Sequence, residues 1–220
     1  MLDISRKIIF THPPKCAGTT IEGLFGWHPA ANKEGDRAEY LKYFLKWKHA
    51  SLDDHLYELL SMRQDISKYF VFSCVRNPWD RAVSWYFHNK IKEPIQFKKN
   101  NPDKALPGEL KAIQESSFDE FIILDYERVR CGGRNMLATK PFIFSESGWI
   151  PNLIIRHENY VDELATIAAK FDLDMDTMTS FNVNSRPKGK HYAEYYSNDR
   201  SISLVAKMCE DSIDRFGYKF

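Results

Sequence analysis

Three short apolar runs along the chain have the pattern of buried β-strands. They are Lys7–Thr11, Tyr69–Val75 and Leu153–Ile155, which are rich in β-branched, aromatic or aliphatic residues. Loop-forming residues follow the first two runs, Pro13–Pro14 in one case and Arg76–Pro78 in the other. Because runs of this length are too short for buried helices, the pattern predicts three core strands.

Helical periodicity follows the second and third predicted strands. Asn77 can cap a helix with Pro78 in its first position, and apolar residues then recur at helical spacing to about Ile91. Asn159 is a candidate cap for another helix. The C-terminal stretch repeats the spacing with Ile202, Val205, Cys209, Ile213 and Phe216. Strands that alternate with helices predict the α/β class, as a single domain over residues 1–220 with a mostly parallel central sheet flanked by helices.

The segment Glu93–Ser117 lacks a clear periodicity. It is polar and contains three prolines, Pro94, Pro102 and Pro107. We expect a long loop or lid here, and long loops in compact domains are commonly functional. Together with His28–Lys48, this segment is the expected source of an acceptor pocket.

The overall composition limits the classes of protein that remain. Of the 220 residues, 43% are hydrophobic, and 31 basic residues nearly cancel 30 acidic ones, for a net charge of +1. A chain this close to neutral is not expected to grip nucleic acid through a general basic field, so an anion site must be a local cluster.

The chain also lacks the patterns of a membrane or secreted protein. No window approaches the roughly 20 apolar residues of a membrane span, and the N-terminus has no apolar stretch typical of a secretory signal. The four cysteines are scattered without zinc-ligand spacing. We therefore expect reduced thiols and a cytoplasmic protein.

The junction after the first predicted strand has the features of a phosphate-binding loop. It reads THPPKCAGTT over residues 11–20. Backbone N–H groups at a helix N-terminus form an anion cradle, Gly18 permits a tight turn, Lys15 supplies a charge, and Thr19 and Thr20 supply hydroxyls. The lysine precedes the glycine, so the nucleotide pattern G-x-x-x-x-G-K-[ST] is absent. A plain strand-to-helix turn with a solvated lysine is the alternative.

The junction after the second predicted strand offers another anion site. Arg76 stands where the strand ends, and Ser84 follows two turns into the next helix. An arginine fork and a serine hydroxyl that converge on one phosphate would suit a terminal monoester. Taken alone, a capped helix with a surface arginine explains the same residues.

Together, the segments PPKCAGTT and VRNPWDRAVSWY resemble the cofactor-binding motifs of sulfotransferases that use 3′-phosphoadenosine 5′-phosphosulfate (PAPS). The likeness is to the carbohydrate sulfotransferase branch and its small bacterial relatives, and it extends to Ile154–Leu164 and His191–Phe220. It implies a P-loop-like fold, PAPS as the sulfate donor and no required metal. The residues implied for the 5′-phosphosulfate are Lys15, Cys16, Ala17, Gly18, Thr19 and Thr20, and those for the 3′-phosphate are Arg76 and Ser84.

Cys16 and the loop Asn182–Lys190 match the family's pattern less closely. Cys16 stands where many members carry a threonine, which changes the number of hydroxyls in the loop. The basic loop Asn182–Lys190 is similar in placement to the loop that closes over the 3′-phosphate, which adds Arg186 and Lys188 as candidate contacts. A plain solvated loop explains Asn182–Lys190 as well.

Sulfuryl transfer to a hydroxyl requires a base, and seven histidines are candidates. His49 is the first choice, because KHAS at residues 48–51 resembles the segment that carries the catalytic histidine in the bacterial relatives. His55 is the second choice, and His12 is expected to pack or hydrogen-bond within the loop. With an ordinary pKa near 6.5, His49 would lose activity below about pH 6.

The sequence thus predicts an enzyme that moves sulfate from PAPS to an acceptor hydroxyl, on a saccharide by resemblance, through in-line displacement. Two other functions stay open. One is a nucleotide or sugar kinase, which would need an acidic magnesium site that the sequence does not show. The other is a non-catalytic nucleotide-binding protein. It is disfavoured because Lys15, Arg76 and a candidate base are all present.

Overall fold

The computed structural model describes residues 1–27, 48–175, 186–187 and 189–220. The chain divides into two compact units. The first comprises Met1–Arg76 and Thr139–Asn182, and the second comprises Asn77–Ala138 and Val183–Phe220. A single domain over the whole chain stays a prediction.

A four-stranded mixed sheet forms the centre of the first unit in the described part of the chain. Its strands are, in spatial order, β1 (Leu2–Asp3), β2 (Ile8–Thr11), β3 (Phe70–Val75) and β4 (Leu153–Arg156). β2, β3 and β4 are parallel, and β1 pairs antiparallel with β2. The three predicted strands are confirmed within a residue or two. β1 is too short for a sequence pattern and was not predicted.

The described helices are short. In chain order they are α1 (Gly18–Leu24), α2 (Leu52–Ser61), α3 (Pro78–Phe87), α4 (Glu93–Asn100), α5 (Gly108–Glu115), α6 (Phe118–Arg130), α7 (Lys140–Ile143), α8 (Tyr160–Lys170), α9 (Asp199–Met208) and α10 (Glu210–Phe216). None of these helices is long and apolar enough to cross a membrane.

Helices cover both faces of the sheet in the first unit. Successive strand side chains point to opposite faces, so the strands supply two separate cores. Ile8, Phe10 and Phe72 pack against α1 and α8, whereas Ile9 and Val71 pack against α2. This arrangement is the α/β class with helices on both sides of the sheet. Its parallel strands β2 and β3 end at the same edge of the sheet, where Thr11 is opposite Ser73 and β3 continues to Val75.

The second unit is helical, and its first helix begins as predicted. The side chain of Asn77 accepts hydrogen bonds from the backbone N–H groups of Trp79 and Asp80, and Pro78 occupies the first turn of α3. Arg81 of α3 is almost fully buried, which is tolerated because its guanidinium donates to two backbone carbonyls, of Met136 and Leu137, at 3.0 and 2.9 Å.

The predicted loop or lid at Glu93–Ser117 is wrong. A π-helical turn, His88–Lys92, joins α3 to α4, and α5 follows within the same segment. Two of the three prolines mark helix starts: Pro94 lies in the first turn of α4 and Pro107 is the N-cap residue of α5. Proline is compatible with a first turn because the N–H group that it lacks has no intrahelical partner there.

Two other helix boundaries differ in detail from the sequence pattern. Asn159 precedes α8 as predicted, but its side chain makes no capping hydrogen bond. The C-terminal apolar stretch forms two helices, α9 and α10, which are separated at Cys209. The apolar spacing alone does not reveal this break.

Candidate functional site

The loop between β2 and α1 contains two residues in the left-handed backbone region. Lys15 has a φ of 65° and Ala17, the N-cap residue of α1, has a φ of 62°. This conformation is unfavourable for residues other than glycine, by about 1–3 kcal/mol each, and persists only where neighbouring contacts enforce it. The loop is therefore held in shape by the structure around it.

Gly18 is required by close packing and not by a tight turn. It is the first residue of α1, and a Cβ atom added there would lie 2.0 Å from Cδ2 of His12. The imidazole of His12 thus occupies the space that any larger residue would need. The expectation that Gly18 makes the turn is wrong, because the left-handed residues are Lys15 and Ala17.

His12 pairs with a carboxylate that sequence reasoning missed. Its Nδ1 lies 2.7 Å from Oε1 of Glu22, and both side chains are buried. Glu22 belongs to the same short helix as the buried Ile21 and Leu24. The one signal in the sequence is that Glu22 is the single charged residue of the segment Gly18–Leu24 and follows His12 by ten residues.

His49 contacts the same loop. Its Nδ1 lies 2.8 Å from the backbone oxygen of His12, and the two imidazoles meet edge to face with centroids 4.6 Å apart. Burial, and after it the charge of His12, lower the pKa of His49 from 6.5 to about 3. The ring is therefore neutral at physiological pH. The expected loss of activity below about pH 6 moves to more acidic pH.

His55 is placed differently from His49. It lies in α2, is fully buried, and its Nε2 is 3.2 Å from the amino nitrogen of Met1. Burial lowers the pKa of His55 well below its usual value. A fully buried ring has no surface through which to reach an acceptor hydroxyl.

Arg76 links the second motif to the first. It follows β3, is buried, and its Nη1 donates to the backbone carbonyl of Lys15 at 3.0 Å. The two residues are 61 positions apart in the sequence. Adjacent ends of the parallel strands β2 and β3 bring them together.

The remaining loop residues are mostly enclosed. Thr19 and Thr20 are buried in α1, and Cys16 is buried in the core with its Sγ 3.7 Å from the carbonyl of Pro14. The side chain of Cys16 is therefore a core group and does not replace a loop hydroxyl. Lys15 is half-buried.

The other candidate residues belong to the second unit. Ser84 is buried in α3. Arg186 makes an ion pair with Asp80 of α3, with Nη1 and Oδ1 2.7 Å apart. Lys188, and most of the predicted Asn182–Lys190 loop, lie outside the described residues, as do residues 28–47 of the other predicted acceptor loop.

No metal centre is found within residues 1–27, 48–175, 186–187 and 189–220, where no group of three or more His, Cys, Asp or Glu side chains could hold an ion. What the first unit assembles is a lysine-bearing loop, an arginine that grips this loop, and a neutral histidine against its first residue.

In α/β proteins, ligands usually bind beyond the carboxyl ends of the parallel strands, and this loop lies at that edge of the sheet. The family model described as the Sulfotransferase family matches residues 1–219, and the chain belongs to this family. The protein is thus a transferase of sulfuryl groups, and the family generally uses PAPS as the donor. No curated protein and no solved structure matches the chain.

Proposed function

We propose that this protein transfers the sulfuryl group of PAPS to a carbohydrate hydroxyl by in-line displacement, with His49 as the base. The observation that carries the proposal is the arrangement around the loop. Arg76 and His49 both bind loop backbone carbonyls, so a cation and a neutral imidazole stand at the segment that contains Lys15.

We assign the 5′-phosphosulfate to the loop residues Lys15, Cys16, Ala17, Gly18, Thr19 and Thr20. The ammonium of Lys15 neutralises the charge that develops on the bridging oxygen as the bond to sulfur breaks, which makes it the second catalytic residue. Cys16 contributes through its backbone, because its side chain is buried.

We assign the 3′-phosphate to Arg76 and Ser84 of the second motif. A guanidinium has five N–H donors, so a bond from Arg76 to the carbonyl of Lys15 is compatible with further bonds to a phosphate. Arg186 and Lys188 are proposed as additional contacts. Because Asp80 already neutralises Arg186 in part, we expect the contribution of Arg186 to be smaller than that of Arg76.

His49 suits the role of base better than His55. A carbonyl oxygen only accepts hydrogen bonds, so the contact with His12 requires a proton on Nδ1 of His49 and leaves the basic lone pair on Nε2. Nε2 can then take the proton of the acceptor hydroxyl. His55 is fully buried, which disfavours such contact with an acceptor.

We further propose that residues 1–220 form one sulfotransferase domain that acts in the cytoplasm and needs neither a metal nor nucleic acid. The family match over residues 1–219 supports one domain. A kinase is disfavoured by the same match and by the order of lysine and glycine in the loop.

The test is a transfer assay with PAPS labelled with ³⁵S and a panel of saccharide and phenolic acceptors, with and without EDTA. We expect labelled saccharide in both conditions and much less of it with Lys15→Ala. A matched control is Lys111→Ala, because Lys111 is an exposed lysine of α5. Labelling of phenols alone would overturn the carbohydrate acceptor, and phosphate transfer from ATP would overturn the assignment of the donor.

A further inference from the structure

Glu22 and His12 form a buried pair next to His49, the proposed base. Glu22 is fully enclosed within α1, and His12 is almost as deeply buried. A buried carboxylate is stable only when it is paired or hydrogen-bonded, and the 2.7 Å contact with Nδ1 of His12 provides this. The side chain of Glu22 therefore binds the ring of His12 directly.

The ring of His12 is held by three contacts in addition to its contact with the ring of His49. Glu22 binds Nδ1, Phe10 stacks on the ring with centroids 5.6 Å apart, and α1 approaches so closely at Gly18 that a Cβ atom would lie 2.0 Å from the ring. A ring held on these sides cannot move without breaking a contact. The backbone of His12 is therefore held as well.

The backbone carbonyl of His12 is the acceptor for His49. The hydrogen bond of 2.8 Å places the proton of His49 on Nδ1, and the edge-to-face contact at 4.6 Å fixes the plane of its ring. In a neutral imidazole, the hydrogen bonds that the two ring nitrogens make decide which of them carries the proton. The carbonyl oxygen of His12 thus favours the tautomer of His49 that is protonated on Nδ1.

We infer that Glu22 is a positioning residue for the base. By holding the ring of His12, Glu22 holds the carbonyl that keeps His49 in the tautomer with its lone pair on Nε2. The link to catalysis rests on the proposed function, in which His49 is the base. The link to the tautomer does not rest on that function.

The experiment compares Glu22→Gln with Glu22→Ala. Glutamine keeps the size and an acceptor oxygen but loses the charge, so its bond to His12 is weaker, whereas alanine removes the bond. ¹⁵N NMR of the histidine ring nitrogens reports the tautomer of His49. We expect protonated Nδ1 in the wild type, a mixture of tautomers in Glu22→Gln, and a larger shift in Glu22→Ala.

Kinetics provide the second readout. We expect kcat to fall roughly three- to tenfold in Glu22→Gln, as a charge-assisted hydrogen bond becomes a neutral one. The dissociation constant of adenosine 3′,5′-bisphosphate should stay within about twofold, because a positioning residue for the base does not touch the nucleotide. An equal loss in nucleotide affinity would overturn the inference and make the pair a support of the loop.

Asp125→Asn is the matched control. Asp125 is another buried carboxylate, bound to Arg128 at 2.6 Å in α6, and its loss should leave the His49 resonances unchanged. A folded Glu22→Gln protein with wild-type His49 resonances and kcat would overturn the inference, even if Glu22→Ala does not fold. If no sulfuryl transfer is found in the wild type, the NMR comparison still decides the tautomer, so the two failures are distinguishable.

Discussion

Replacement of Gly18 by alanine tests the closest contact in the candidate site. The added Cβ atom would lie 2.0 Å from Cδ2 and 2.1 Å from Nε2 of His12, whereas ordinary Cβ contacts begin at 3.4 Å. The imidazole must therefore move by more than an ångström. Because Nδ1 lies 2.7 Å from Glu22, a shift of this size breaks their hydrogen bond.

Two costs contribute to the destabilisation of Gly18→Ala. Overpacking of a well-packed core costs about 1–3 kcal/mol, and a buried group left without its hydrogen-bond partner costs about 1–3 kcal/mol more. We expect the free energy of unfolding to fall by roughly 2–6 kcal/mol. In a chain of this length each kcal/mol shifts Tm by about 2–4 °C, so circular dichroism should show a decrease of roughly 5–20 °C.

Gly108→Ala is the matched control for this experiment. Gly108 is the first residue of α5, as Gly18 is of α1, but a Cβ atom there would meet nothing within 4 Å. Alanine favours helix over glycine by up to about 1 kcal/mol, so Tm should stay the same or rise. If Gly18→Ala unfolded at the same temperature as Gly108→Ala, the close packing of His12 against α1 would be refuted.

Four predictions concern binding and turnover. Lys15→Ala should lower kcat more than it weakens binding of adenosine 3′,5′-bisphosphate, because the charge of Lys15 acts most strongly in the transition state. Steady-state kinetics measure kcat and calorimetry measures the affinity. A turnover near that of the wild type would contradict this prediction. Arg76→Ala should abolish a preference of about tenfold or more for adenosine 3′,5′-bisphosphate over adenosine 5′-monophosphate, and equal calorimetric affinities in the intact protein would remove this assignment. His49→Ala should bind the bisphosphate normally yet lose about two decades of turnover or more. The wild-type rate should hold as the pH falls from 8 to about 5 and decline only towards the pKa of His49, which is about 3; a rate that halves near pH 6 would argue against the buried base.

The sequence patterns predict the core strands and the proximity of Arg76 to the phosphate-binding loop. They do not predict the helices within Glu93–Ser117. Mostly apolar runs such as Phe70–Val75 are typical of buried parallel strands. Parallel neighbours end at the same edge of a sheet, which brings Arg76 to the loop. The prediction of a loop at Glu93–Ser117 is wrong because prolines occur both in loops and at helix starts. Only the tertiary packing decides between the two.

The Glu22–His12–His49 chain of contacts could not be predicted, for a physical reason. Two of its members meet through a backbone carbonyl, and a carbonyl has no sequence signature. Glu22 also looks like an exposed helical residue until α1 is placed against the sheet, where it is fully buried. Sequence patterns identify groups that carry charge or hydroxyls, but the acceptor that orients a histidine is found only once the backbone is known.

Two side chains bind backbone oxygens of the loop, Arg76 that of Lys15 and His49 that of His12. The carbonyl that Arg76 binds belongs to Lys15, one of the two left-handed residues, so this arginine also helps to hold the loop in shape. The left-handed conformations of Lys15 and Ala17 are costly, and such contacts offset the cost in the folded protein. A loop shaped before the donor arrives loses little conformational freedom on binding, so more of the interaction energy remains for the charge that develops during transfer.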